Sequence, residues 1–413
     1  MSTNGKFFYE YDSSNIYLDN GASTLSLNCV KKAGDEFLQH YGSVHRGAGY
    51  NSYISTKKYE DSRDYILNMI HGAENDCLVF TANTTDAINK FALIYPFKEG
   101  DKVLVSDVEH TSNFLPWKKH AEVVTLKTRN FKVCPEDVEK ALEDDKNITV
   151  VALAAASNIT GYILDFKAIY EICKKHNVLF FLDCSQYAPH SLPDLRYCDM
   201  LAYCGHKMCA PFGCGILAGR RKYLNYEGES LTGGGNVLYV DENGIPIYKG
   251  LPWIHEAGTP NGIGAVTMAR AHKFLFEEIG EEKLEEHTRK LLRAIKDVTP
   301  MLREAGYNVY FSEDDKMRTP ILIVDNAKKS NKQTVEELNR PCGEYDKNVF
   351  VREGIFCAYR VMEILRPELK NEPKVVNGKL NEGYSLIRLS AGFINDPEDI
   401  WYAAEKLAKI NQN

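Results

Sequence analysis

Asp183 and Lys207 are the residues in this chain whose types and spacing first suggest chemistry. Asp183 closes the apolar run Val178 to Asp183 (VLFFLD), and Lys207 ends the turn Gly205-His206-Lys207 that follows a second run, Asp199 to Cys204 (DMLAYC). The interval, 207 − 183 = 24 residues, is enough for one crossover between neighbouring strands. A carboxylate and an amine brought together in this way meet the needs of pyridoxal phosphate. The lysine holds that cofactor as a Schiff base, and the carboxylate keeps its ring nitrogen protonated so that the ring can draw in electrons. Gln186 could then meet the ring hydroxyl, and His206 could reach the phosphate. Taken alone, such a pair is more often a buried strand followed by a solvated lysine, so the surrounding residues decide.

Ligands of open α/β sheets lie beyond the carboxyl ends of the strands, which directs attention to the residues after each apolar run. CLVF (77–80) is followed by TANTTDAIN, in which Thr84 and Thr85 open a helix. The free N–H groups and positive dipole end of that helix suit a phosphate, and simple helix capping explains the two threonines equally well. VLVS (103–106) leads to DVEHTSN, placing His110 where an imidazole could stack on a planar ring. A lone histidine there is more often a satisfied loop residue. ITVVALAA (148–155) leads to SNITG, with Asn158 at the strand end, where a structural asparagine turn is an equal alternative.

These positions require a sheet to hold them. The runs already named, with EVVTLK (122–127) and CGILAG (214–219), are separated by helical patterns from about 84 and near 165–177. Short apolar strands alternating with amphipathic helices predict a largely parallel sheet buried on both faces. After GTPNG (258–262) the pattern changes to long charged helices, Ile263 to about Val298, and then mixes NVYF (308–311), ILIV (321–324) and LIRLS (386–390) with further helices. A length of 413 residues fits two domains. The expected division is a large α/β domain over 24–270 and a smaller α+β domain over 271–413, with an arm of residues 1–23 packing on the latter.

A net charge of −7 provides no basic footprint, so nucleic acid is not the expected partner. With no apolar run near 18 residues and no signal-peptide pattern, a membrane is not expected either, and the cytoplasm is the expected location. Eleven cysteines at irregular spacing, without a CxxC pair, read as reduced thiols rather than a disulfide frame. Cys198, Cys204, Cys209 and Cys214 are spaced along a strand, turn and strand in a way that does not converge on a tetrahedral centre, so no metal is expected.

Together, Asn158, Asp183 to Gln186 and Gly205-His206-Lys207 occur in order with LDNGAS (18–23), VHRGAG (44–49), VEHTSN (108–113), GGGN (233–236) and EAGTPN (256–261). This set closely resembles the class V aminotransferases, which are fold-type I enzymes dependent on pyridoxal 5'-phosphate. Within them the chain looks like the cysteine desulfurase and selenocysteine lyase branch, over about residues 16 to 400. The resemblance implies a mainly parallel large domain with a smaller α+β C-terminal domain. It implies Lys207 as the Schiff-base and catalytic lysine, Asp183 on the pyridine nitrogen, Gln186 on the ring oxygen and His110, also catalytic, stacked on the ring. Asn158 would sit near the ring or substrate. Thr85 and His206 would hold the phosphate, with Thr84 alongside, and Thr259 would reach the phosphate of a neighbouring subunit. A homodimer with shared active sites follows, and Ala22 and His45 fall on the substrate side. One departure is Cys204, where the family commonly has serine; a thiol is a weaker donor, so the phosphate leans harder on His206 and the helix terminus.

Two further matches bear on the reaction. Arg388, in LIRLS, matches the arginine that grips the substrate carboxylate, a task for a planar bidentate cation. In VREGIFCA (351–358), Cys357 matches the cysteine that attacks the substrate sulfur, by its offset from Arg352 and Gly354. Arg352 is expected on the substrate side as well, where its charge could lower the thiol pKa while the apolar flank would raise it, which leaves the thiolate reactivity open. Ile355-Phe356 stands where that branch often has two histidines, and Tyr359-Arg360 where a proline often follows. The implied reaction converts L-cysteine to L-alanine, with sulfur held as a persulfide on Cys357 for a sulfur-acceptor protein. Selenocysteine lysis, C–S β-elimination, amino-group transfer and epimerisation are the alternatives within the family, and a non-catalytic scaffold or sulfur-relay partner is the alternative outside it.

Overall fold

Continuous runs of Val, Leu, Ile and Phe hold as strands when both faces of their sheet are covered. They do so in the computed structural model, which describes residues 4–225, 231–312, 317–341 and 345–412. Seven strands, β1 (Asp76–Thr81), β2 (Lys102–Ser106), β3 (Glu122–Leu126), β4 (Ile148–Ala154), β5 (Leu179–Asp183), β6 (Met200–Cys204) and β7 (Gly215–Arg220), form one sheet. Their order is β1-β7-β6-β5-β4-β2-β3. β7 runs antiparallel to β1 and β6, and every other pair is parallel. Six carboxyl ends therefore open on one edge.

Alternate side chains of each strand enter opposite cores, as a period of two requires. Leu78, Phe80, Leu153, Phe180, Leu182 and Tyr203 meet helices α1 (Asn28–Leu38), α2 (Tyr50–Met69), α4 (Pro135–Asp144), α5 (Phe166–His176) and α6 (Gly262–His272). Val79, Val105, Ala152, Phe181 and Leu217 meet α3 (Thr84–Ile94) through Ala87, Ile88 and Phe91. Pairing of Ala154 with Asp183, and of Asp183 with Ala202, levels the ends of β4, β5 and β6. Asp183 and the turn after Cys204 thus reach the same rim.

The second sheet has order β8-β9-β11-β10, all antiparallel, from β8 (Tyr307–Tyr310), β9 (Ile321–Asn326), β10 (Arg352–Gly354) and β11 (Leu386–Ser390). Its core joins Leu322, Val324, Ile387 and Leu389 to Leu291, Ile295 and Leu302 of α7 (Glu281–Glu304) and to Ala404 and Leu407 of α8 (Pro397–Ile410). Ile16 and Leu18 of the arm enter this core, and strand Asn15–Tyr17 pairs in parallel with Asn348–Phe350. Further back, Phe7 and Phe8 contact Phe274 and Phe393 beside the first core; the first three residues lie outside the described residues. α6 packs on α1 and α2, whereas α7 packs on α8. We propose Gly280, between them, as the point where the domains divide; its φ of 91° is open to glycine. Among the described residues no helix is long and apolar enough to cross a membrane.

Candidate active site

The loops at the open strand edge and one loop of the second sheet line a cleft of about 620 Å³. It collects Ala22, Thr84, Thr85, His110, Asn158, Asp183, Gln186, His206, Lys207, Arg352, Cys357 and Arg388. Twelve of the fourteen residues singled out from the sequence therefore share one cavity, counted against the two, His45 and Thr259, that do not line it.

Asp183 is buried at the end of β5, where it accepts the Ser185 N–H at 2.9 Å. Lys207 ends the turn after β6. Burial pushes its ammonium pKa down, partly opposed by the Cys204 thiol and the Asp183 carboxylate, while Arg388 adds to the fall. Neutral amine is the form that can act as nucleophile or base. Gln186 Nε2 donates to the Gly21 carbonyl at 2.7 Å, and the Thr24 N–H donates to the His206 carbonyl at 2.9 Å. The LDNGAS segment is thereby laid across the GHK turn.

At one end the cleft offers hydrogen-bond donors around the start of α3, where Asp86 Oδ2 accepts the Ala82 N–H at 2.9 Å. Asn83 caps α3 by accepting the Asp86 N–H at 3.0 Å, leaving the first turn open at Thr84 and Thr85. The Ser185 hydroxyl donates to Thr84 Oγ1 at 2.8 Å, and Thr85 Oγ1 lies 2.7 Å from Ser112 Oγ. Burial, then the Lys207 charge, lowers His206 to about 4, so at neutral pH it is an uncharged hydrogen-bonding group. His110 is shifted in the same direction, by burial first and by Lys207 second. Its Nδ1 accepts the Ser112 N–H at 3.1 Å, which leaves the proton of the neutral ring on Nε2.

At the other end is Arg388, only 2% exposed. Its Nη2 donates to Asp19 Oδ1 at 3.2 Å and its Nη1 to the Asn158 carbonyl at 3.1 Å, while its buried Nε has no hydrogen-bond partner among the described residues. The guanidinium carbon stands 4.8 Å from the centroid of the Phe356 ring. Arg352 Nε is 3.9 Å from Asp19 Oδ2. Burial raises the pKa of Asp19, and Arg388 and then Arg352 pull it back. A buried N–H without a partner is a seat waiting for an acceptor, and a carboxylate fits it best.

Cys357 is exposed, and the other described cysteines are free and either buried or partly buried. Phe356 and Cys357 both take left-handed backbone angles, φ 52° and 57°, a conformation that costs a side-chain-bearing residue about 1–2 kcal/mol. Three hydrogen bonds hold the bend: the Ala358 N–H to the Ile355 carbonyl at 3.0 Å, which closes it locally, Asn158 Nδ2 to the Phe356 carbonyl at 2.7 Å, and the Thr111 N–H to the Cys357 carbonyl at 2.8 Å. The Asn158 side chain, expected toward ring or substrate, here spends one amide hydrogen on this loop.

His45 and Thr259 lie elsewhere. His45 Nε2 is 2.9 Å from Glu60 Oε1, and Arg46 donates to the carbonyls of Gly234 at 3.3 Å and Gly258 at 2.6 Å. VHRGAG, GGGN and EAGTPN meet one another outside the cleft of their own chain. Residues not singled out beforehand are Asp19, Ser112, Ser185 and Glu109. Glu109 is buried and accepts Ser106 Oγ and Asn113 Nδ2, each at 2.8 Å, and the Ala154 N–H at 3.1 Å. Burial pushes its carboxyl up to about 7. Its only mark in the sequence is that it precedes His110; Asp19 and Ser185 are inside motifs whose other members drew the attention.

Residues 16–402 match the model of the aminotransferase class-V family, and the chain belongs to that family. It is similar to a probable cysteine desulfurase of Halalkalibacterium halodurans, 35% identical over 311 residues that cover 71% of this chain and 74% of that protein. A probable cysteine desulfurase of Aeropyrum pernix is 33% identical over 372 residues, 85% of this chain and 87% of that one. Among solved structures, apo cysteine desulfurase from Thermococcus onnurineus NA1 superposes with a TM-score of 0.84 at 27% identity, covering 96% of this chain and 95% of that chain. The mixed sheet with its carboxyl-edge cleft is thus the fold-type I architecture of these enzymes.

Proposed function

We propose that this protein is a pyridoxal 5'-phosphate-dependent cysteine desulfurase that converts L-cysteine to L-alanine and carries the sulfur as a persulfide on Cys357. The observation that carries this reading is the placement of one exposed thiol, Cys357, in the cleft that also holds Lys207 and Arg388. Transamination or epimerisation has no use for a thiol there.

The donor set fits the cofactor. Open helix N–H groups with Thr84, Thr85 and His206 suit its phosphate, Asp183 suits its ring nitrogen, and His110 suits its ring face. Gln186 keeps a second amide hydrogen for the ring oxygen. When bound, the group supplies an electron sink for the charge left as a Cα proton departs.

The remaining work falls to side chains of this chain. Arg388 takes the substrate carboxylate on its unpaired Nε–H. Lys207, whose ammonium pKa burial lowers, removes the Cα proton as the free amine and returns it later. Asp183 holds a proton at the ring nitrogen. Cys357 thiolate attacks the substrate sulfur: an S–S bond forms, the Cβ–S bond breaks, and its electron pair stays on the three-carbon unit, which takes up protons to become alanine. A thiol and L-cysteine become a persulfide and L-alanine, and no outside oxidant is needed.

The meeting of His45, Arg46, Gly234 and Gly258 away from their own cleft supports a homodimer in which Thr259 serves the other copy's phosphate. Exposure of Cys357 supports delivery to a sulfur-acceptor protein, and free cysteines throughout the described residues support a reducing compartment, the cytoplasm. The reading is tested by product analysis with L-cysteine. Alanine from the native protein and none from Cys357→Ala is the expected result. Pyruvate from both would replace the desulfurase with a β-eliminating lyase.

A further inference from the structure

Phe356 is the residue on which the two ends of the reaction meet. It is 8% exposed, packed in a cluster with Val108, Ile159, Ile355 and Ala358. Its ring faces the Arg388 guanidinium, 4.8 Å from ring centroid to guanidinium carbon. Its carbonyl is held by Asn158, and the Asn158 carbonyl in turn accepts from Arg388 Nη1. The next residue is Cys357, whose own carbonyl is held by the Thr111 N–H.

Each contact has a physical consequence. The ring covers one face of the guanidinium, excludes water from it, and returns part of the lost hydration through its negative π-face. With Asp19 and the Asn158 carbonyl taking two of its nitrogens, Arg388 is left with one plane and one bare edge, at Nε. The ring's position also sets the backbone of a bend whose two residues are held in left-handed angles. Such a bend persists when its surroundings over-determine it; here these are the Ala358 N–H to Ile355 carbonyl bond at 3.0 Å, the apolar cluster around Phe356 and the Arg388 guanidinium against its ring.

We propose that Phe356 is a positioning residue that couples the carboxylate seat to the nucleophile: its ring fixes the plane of Arg388, and by being clamped there it sets where Cys357 stands. The coupling to substrate rests on the desulfurase reading of Arg388; the clamping of the Cys357 loop does not. Apolar bulk alone does not do this, because the contact with Arg388 needs an aromatic face.

The test uses the pyridoxal phosphate-loaded native protein with Phe356→Leu and Phe356→Tyr, titrated calorimetrically with L-alanine and followed by hydrogen exchange at the Thr111 amide. Phe356→Leu keeps bulk and loses the face; it is expected to bind L-alanine about tenfold more weakly and to exchange the Thr111 amide roughly tenfold faster. Phe356→Tyr keeps the face and is expected to stay within about twofold of native on both. Phe356→Met, a softer apolar replacement, stands in for leucine should that variant not fold. Leu and Tyr variants that behave alike would overturn the proposal, since packing alone would then explain the residue. Native protein that does not bind L-alanine would overturn the Arg388 reading and the proposed coupling together, whereas native binding with an unchanged Leu variant would overturn the coupling alone.

Discussion

Arg388 and Lys207 carry opposite kinds of burial. Arg388 is charged in a place that disfavours charge, and its pKa is lowered by that burial, opposed by Asp19. It remains a guanidinium because its ordinary value is so high. Arg388→Lys is expected to raise KM for L-cysteine about 10- to 100-fold, with a smaller effect on kcat, because an ammonium cannot offer the same edge to a carboxylate; steady-state kinetics on a folded variant decides it, and an unchanged KM would remove Arg388 from the seat. Lys207 must instead lose its charge, and Lys207→Ala is expected to abolish alanine formation. The Asp183 and Lys207 pair was legible because residue type and spacing along two strands suggest it and the motifs around it, SNITG, VEHTSN and GHK among them, decide for it. Asp19 was not, since its partner is 369 positions away and only the folded chain makes them neighbours.

At the scale of elements, the proposed phosphate end depends on how α3 begins. Asn83 satisfies the Asp86 N–H, and its replacement by alanine leaves that donor unpaired at the mouth of the cleft. Asn83→Ala is expected to lower stability by about 1 kcal/mol in urea unfolding, and to weaken retention of pyridoxal 5'-phosphate on dialysis; retention equal to native would shift the phosphate site away from this helix. The strands themselves were readable nearly to their ends, because uninterrupted apolar runs admit one environment, a sheet covered on both faces. The reversed direction of β7 was not readable: CGILAG has the same composition whichever way it runs. Neither was β10, three residues long, which brings Arg352 to the cleft through pairing with β11 rather than through any pattern of its own.

Across the whole molecule, buried histidines outweigh buried carboxyls in setting acid stability. Burial lowers His190, His206 and His272 each to about 4 and shifts His110 the same way. Unfolded, all four would titrate near 6.5, so between pH 6.5 and 4 the unfolded chain binds protons that the folded one refuses. Each histidine then removes up to about 1.4 kcal/mol of stability per pH unit on acidification. Glu109, raised to about 7, works the other way: the folded state keeps its proton, and stability from this group is lost as pH rises toward 7. These four histidines, with His255 and His287 lowered in the same direction, outweigh Glu109 and the raised Asp19, Asp199 and Asp399, giving a urea midpoint that falls steadily from pH 7 to pH 5. A midpoint that rises over that range would mean these histidines are hydrated in solution. At the same scale, a homodimer is expected by light scattering at micromolar concentration; a monomer with full activity would rule out shared sites.

The most direct test of the account is a single turnover of the pyridoxal phosphate-loaded protein with L-cysteine, followed by peptide mapping for added sulfur and assay of alanine. One sulfur on the peptide containing Cys357, with an equal amount of alanine, is the predicted result. Alanine without sulfur on Cys357, or sulfur on a different cysteine, would contradict it.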